Sequence, residues 1–137
     1  MNEVELRSLK HDDDGRMLDH GDLFTGVAIE RWPNGQLASQ LNFVDGIEDG
    51  WVRGWYENGA PKSETLYRSG RVVGVRREWH SNGQLKLEEE IEHGTRVWGK
   101  EWSETGDLVK DFVLPENHPE YKMLQRMRER ERGSGLN

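Results

Sequence analysis

Cysteine is absent from the 137 residues, which excludes disulfides and thiolate chemistry and fits a reducing, cytoplasmic setting. Long apolar runs are absent too: no stretch approaches the roughly 18 residues that a membrane-crossing helix needs. The opening MNEVELRSLKHDDDG lacks the apolar segment of a secretory signal. Hydrophobic side chains are scarce at 33%. The core must therefore lean on bulk, with six Trp that can each bury roughly 150–250 Å². Basic residues are outnumbered, 19 against 26, and the net charge of −7 argues against general nucleic-acid binding through phosphate neutralisation. The charge is uneven: residues 114–137 hold five Lys/Arg and four Asp/Glu, leaving −8 on residues 1–113. An acidic body of this kind suits a basic partner, and it equally serves solubility.

Chemistry-bearing motifs are missing as well. His11, His20, His80, His93 and His118 are scattered without metal-ligand spacing. There is neither a Gly-x-Ser-x-Gly elbow nor a P-loop. Asp12-Asp13-Asp14-Gly15 looks like a fragment of a calcium loop, but it lacks the spaced acids and the distal Glu, so it reads as a solvated turn. No catalytic residue, metal site, cofactor or small-molecule substrate is expected. The chain reads as a binding protein and not an enzyme.

What is present is a repeat. Gly35, Gly59, Gly83 and Gly106 are spaced 24, 24 and 23 apart, behind WPNG, WYENG, WHSNG and WSETG. Gly26, Gly50 and Gly74 each lie nine residues before a member of that series, and Gly46, Gly70 and Gly94 eleven after. Asn34-Gly35, Asn58-Gly59 and Asn82-Gly83 suggest two-residue type I′ hairpin turns, with left-handed backbone at both central residues. The Gly46 series suits the return turn. Each unit is thus strand, tight turn, strand, turn, and stacked units would share a continuous core.

Alternation along the strands supports this. Leu37, Leu85, Leu41, Phe43, Tyr67 and Ile91 fall on one parity and Gln40, Glu64, Glu88 and Asp111 on the other. Leu37, Leu85, Phe43, Tyr67 and Ile91 are expected on one buried face. Glu89 breaks the pattern and is expected to be locally exposed. Trp55, Trp79 and Trp102 share one offset before the turn, and Trp32, Tyr56 and His80 the next. The last unit drifts, because Gly99 lies only seven residues before Gly106.

Three segments follow: residues 1–22 as a degenerate N-terminal capping unit, 23–113 as hairpin repeats, and 114–137 as a helix with a frayed tail. The helix is expected from about Pro119 to Arg132, capped by Asn117 or His118 and stopped at Gly133. Tyr121, Leu124, Met127 and Arg128 share one of its faces, suited to a lid on the last hairpin. The fold class is all-β, a single-sheet solenoid of consecutive antiparallel hairpins with a C-terminal capping α-helix.

Residues LFTGVAIERWPNGQL (23–37), DGIEDGWVRGWYENG (45–59) and SGRVVGVRREWHSNGQL (69–85) resemble the bacterial variant of the MORN repeat, and more narrowly the YwqK-type antitoxin family. That resemblance implies a cytoplasmic antitoxin or immunity protein that binds a cognate toxin directly and occludes its active site. It implies no particular contact residues. From composition, the partner is expected to be basic, with no nucleic acid and no membrane involved. The candidate contact residues are Arg53, Trp55, Glu64, Arg77, Trp79, Glu88, Glu90 and Trp102, because Trp and Arg dominate interface energies and the Glu88–Glu90 ridge could meet a basic surface. The structural readings beside these are a stacked Trp stripe and a protected, solvated strand. The rival function is a structural scaffold or membrane-associated MORN-type module, using the Arg-rich helix.

Overall fold

The computed structural model describes residues 3–133. The chain runs β1 (Glu3–Glu5), a short 3-10 turn (Leu6–Ser8), β2 (Lys10–His11), β3 (Met17–Asp19), β4 (Asp22–Leu23), β5 (Gly26–Arg31), β6 (Leu37–Val44), β7 (Ile47–Trp55), β8 (Pro61–Arg68), β9 (Arg71–Val72), β10 (Gly74–Trp79), β11 (Leu85–Glu92), β12 (Thr95–Trp102), β13 (Leu108–Val113) and α1 (Pro119–Gly133). One large sheet takes the order β1-β5-β6-β7-β8-β10-β11-β12-β13, with β9 paired to β8. From β5 onward every pairing is antiparallel, a run of consecutive hairpins. Only β1 enters parallel, against β5. A separate three-stranded sheet, β2-β3-β4, stands at the N-terminal end.

Two kinds of turn hold the hairpins, and their chemistry is the reverse of the sequence expectation. Gly35, Gly59 and Gly83 are left-handed, at φ of 91°, 88° and 89°, but Asn34, Asn58 and Asn82 are not. In the first unit Gly35 N–H donates to Trp32 O and Trp32 N–H to Gln36 O, which closes a three-residue loop with a bulge at the glycine. The asparagine works through its side chain instead: Asn34 Oδ1 accepts from Gln36 N–H at 2.9 Å, and Asn58 and Asn82 repeat this on Ala60 and Gln84. The two-residue turns with both centres left-handed are the return turns, at Asp45-Gly46, Ser69-Gly70 and His93-Gly94.

Residues directly opposed across strands share a sheet face. On one face, here the core face, Ala28, Leu41, Val52 and Thr65 stand in a row across β5 to β8. The Glu64–Arg77 register carries that row on to Arg76, Glu89, Gly99 and Phe112. Bulges beside the turns divide the expected apolar set. Leu37 and Leu85 lie opposite Arg31 and Trp79, one position along from Glu30 and Glu78 of the core face, and so sit on the other side from Phe43. Of the five residues expected to be buried, only Phe43 is; Leu37, Tyr67, Leu85 and Ile91 are half-buried.

The true core lies at the N-terminal end. Leu9, Met17, Phe24, Ala28 and Phe43 form one cluster, joined by Val4, Leu6 and Leu41. The irregular first segment therefore closes over the first hairpin. Gly46 fixes the docking. Its N–H donates to Phe24 O at 2.7 Å and its O accepts from Met17 N–H at 2.8 Å. A Cβ there would stand 2.8 Å from Met17 O, so no larger residue fits. The Asp12 turn is closed locally, with Asp12 Oδ1 accepting from the N–H groups of Asp14 and Arg16. The Arg16 N–H holds the Asp12 carboxyl below the ordinary carboxylate range.

Helix α1 docks by one face, as its pattern predicts. Leu124 is fully buried, and Tyr121, Met127 and Arg128 are half-buried. His118 caps it, Nδ1 accepting from Glu120 N–H at 3.1 Å. Arg128 clamps Glu92 through two bonds of 2.7 and 2.5 Å, and Glu131 meets His93 at 2.8 Å. The anchor is thus the β11–β12 turn, one hairpin earlier than the expected lid position. The frayed tail expected after Gly133 lies outside the described residues.

Candidate partner-binding surfaces

Four of the eight candidate residues form a single array. On the face opposite the core, Gln40, Arg53, Glu64, Arg77, Glu88, Lys100 and Asp111 are opposed in sequence across β6 to β13. From Arg53 onward the charges alternate strictly. Arg53 lies 4.0 Å from Glu64, Glu64 3.4 Å from Arg77, and Arg77 2.8 Å from Glu88. The hydrogen bond to Glu88 raises the Arg77 pKa above its ordinary value. Opposite charges facing across strands are favourable, so the ladder ties neighbouring hairpins together.

Each acid of the ridge has a partner within the fold. Glu88 pairs with Arg77, and Glu90 accepts the Trp98 indole N–H at 3.1 Å. Glu92 is clamped by Arg128, whose hydrogen bonds hold the Glu92 carboxyl below its ordinary range. Glu89 is buried, at 8% exposure, contrary to the expected local exposure. Its two oxygens sit 2.7 Å from Arg76 and 2.9 Å from Arg96. A buried carboxylate needs such partners. Gly99 makes the arrangement possible: a Cβ there would fall 2.2 Å from the Arg96 guanidinium, which covers the Phe112 ring at 4.9 Å. The off-period glycine was the sequence's signal for this cluster. It is a packing glycine with an ordinary φ, in contrast to the left-handed turn glycines.

The Trp residues belong to a different place, the edge that carries the three-residue turns. Trp55, Trp79 and Trp102 are half-buried there, and their carbonyls receive a cross-repeat ladder. Trp32 Nε1 donates to Trp55 O at 3.0 Å, Tyr56 OH to Trp79 O at 2.6 Å, and His80 Nε2 to Trp102 O at 2.8 Å. A carbonyl only accepts, so the His80 proton sits on Nε2. Asn34 and Asn82 add side-chain bonds to Glu57 O and Glu104 O of the next turn. Three chemically different side chains at one offset thus do one job, as donors to the next repeat. Glu57, Glu104 and Asp107 are exposed along the same edge, and a shallow hollow of about 350 Å³ opens between Leu37, Trp55 and Gly59.

Among the described residues no group of three or more His, Cys, Asp or Glu is placed to hold a metal ion. No described helix is long and apolar enough to cross a membrane. Residues 24–45 and 72–93 each match the MORN repeat variant. Comparison with curated proteins gave no significant match, and neither did comparison with solved structures.

Proposed function

We propose that this MORN-variant repeat protein is a cytoplasmic antitoxin or immunity protein that silences a basic toxin protein by covering its active site. The coarser part builds on the match of residues 24–45 and 72–93 to the MORN repeat variant, read as a protein-interaction module. The finer part draws on the resemblance of residues 23–85 to the YwqK-type antitoxins. The observation that carries the binding reading is the turn edge. Trp55, Trp79 and Trp102 sit there half-buried on a hydrogen-bonded frame, beside exposed Glu57 and Glu104. Aromatic side chains carried on a fixed backbone cost little backbone ordering on docking, and such residues dominate interface energies. The neighbouring acids, with the net charge of −7, steer a basic partner.

The test is capture and inhibition of the toxin encoded beside this gene, with association rates at two salt concentrations. Tight binding that abolishes toxin activity, slower association at high salt and a faster off-rate for Trp55→Ala are expected. Binding that ignores Trp55, Trp79 and Trp102 would move the site, and a toxin that is neither bound nor inhibited would end the antitoxin reading. The membrane-scaffold alternative is weakened by α1 itself, whose apolar Leu124 is turned inward and whose Arg128 is clamped. Flotation with anionic vesicles would revive it.

A further inference from the structure

The edge opposite the Trp row carries two arginines that the fold leaves without a counter-charge. Arg68 and Arg71 are directly opposed across the Ser69-Gly70 turn. Like charges in that position are unfavourable. Both side chains are exposed, and neither makes an ion pair among the described residues. The charged groups around them are already engaged. Arg76 is held by Glu78 and Glu89, Glu92 by Arg128, and His93 by Glu131. Asp49 accepts Ser69 N–H at 3.1 Å, and Glu48 meets the turn through its backbone O, which accepts Gly70 N–H at 2.8 Å. In a chain with 26 acidic residues, an unanswered arginine pair is a local conflict.

Beside the pair lies an open groove made of two adjoining hollows of about 620 and 660 Å³. Arg71, Val72, Ile91 and His93 line both, Tyr67 the first, and Arg68 the second together with Glu92 and Glu131, which are paired to Arg128 and His93. The preceding return turn adds exposed Val44 and Ile47, at 47% and 39%, and Ile47 packs over Gly70. Two free guanidiniums beside a half-buried apolar floor match a chain that offers carboxylates and apolar side chains together. A free phosphate would use the arginines and leave the floor empty.

We infer that this groove docks an extended acidic and apolar segment of the partner protein. Its carboxylates pair with Arg68 and Arg71, and an apolar side chain covers Tyr67, Val72 and Ile91. The inference rests on the reading of the chain as a protein-binding module and gives that partner a second, oppositely charged contact. Guanidinium forks favour carboxylates through paired, charge-assisted hydrogen bonds.

The experiment is fluorescence anisotropy with a labelled peptide of alternating Glu and Leu, against its Lys and Leu counterpart. The acidic peptide should bind and the basic one should not, although the protein's net charge favours the reverse. The Arg68→Gln, Arg71→Gln double variant should weaken binding about tenfold. Its thermal midpoint should hold or rise, since a like-charged pair has been removed. Lys62→Gln, which removes one positive charge on the Trp-side half of the sheet, should leave affinity unchanged, while each single arginine variant should already weaken it. Equal binding of both peptides, indifference to the double variant, an equal loss in Lys62→Gln, or full displacement by excess inorganic phosphate would each overturn the inference. A toxin captured equally well by the double variant would overturn it while sparing the antitoxin reading. A toxin that fails to bind wild type, with the acidic peptide still bound, would do the opposite.

Discussion

One backbone frame is filled in two ways. At its N-terminal end the core-face row is Ala28, Leu41, Val52 and Thr65, roofed by Phe24, Met17 and Leu9. At its C-terminal end the same row is Arg76, Glu89, Gly99 and Phe112. The first filling is dry and must be covered, and the initial segment covers it. The second is a charge cluster in which Arg76 hydrogen-bonds Glu89 and Arg96 pairs with it by charge. The groove lies beside the charged half, and Arg76 of that half lines its first hollow.

The sharpest way to break this comparison is a truncation in each half. Phe24→Ala should cost about 3–5 kcal/mol by urea denaturation, because Phe24 is 1% exposed within the N-terminal apolar cluster. Glu89→Ala should cost less, about 2–3 kcal/mol, since its two arginines remain about a third exposed and can rehydrate. A Glu89 variant as damaging as the Phe24 variant would mean that the charged half is no softer. Gly99→Ala should cost about 1–2 kcal/mol, because the new Cβ displaces the Arg96 guanidinium from Glu89.

The regularity of the repeat was legible because glycine spacing reports turns, and turns recur with the unit. The polar face was legible too: Gln40, Glu64, Glu88 and Asp111 do share it. Turn type was not, since Asn-Gly serves a two-residue I′ turn and a three-residue bulged loop alike, and only the closing bond Trp32 N–H to Gln36 O separates them. The core was misplaced because it depends on the non-local pairing of Glu3–Glu5 with β5, which leaves no periodic trace. Bulges between turn and strand moved Leu37 and Leu85 off the expected face. Glu89 was misjudged because its answering charges, Arg76 and Arg96, lie on two other strands. The Arg68 and Arg71 pair gave no signal, since two arginines around a Ser-Gly turn look like ordinary solvated surface.

Two smaller effects sharpen the picture. The Arg128 bonds hold the Glu92 carboxyl below its ordinary value of about 4.5. A lowered carboxylate pKa stabilises the fold above the unfolded value, and that stability is lost as pH falls through the folded one. Thermal midpoints should therefore fall below about pH 4.5, and Glu92→Gln should flatten part of that acid limb. Smallest of all, Tyr56→Phe removes one donor of the cross-repeat ladder and should cost about 1 kcal/mol.

The most direct test of the two fillings is amide hydrogen exchange in the wild type and in Glu89→Gln, which removes the charge at the centre of the second filling. Amides of β10, β11 and β12, which flank the Arg76–Glu89–Arg96 cluster, should lose protection in the variant while those of β5 and β6 hold theirs. Equal change in both sets would contradict the account.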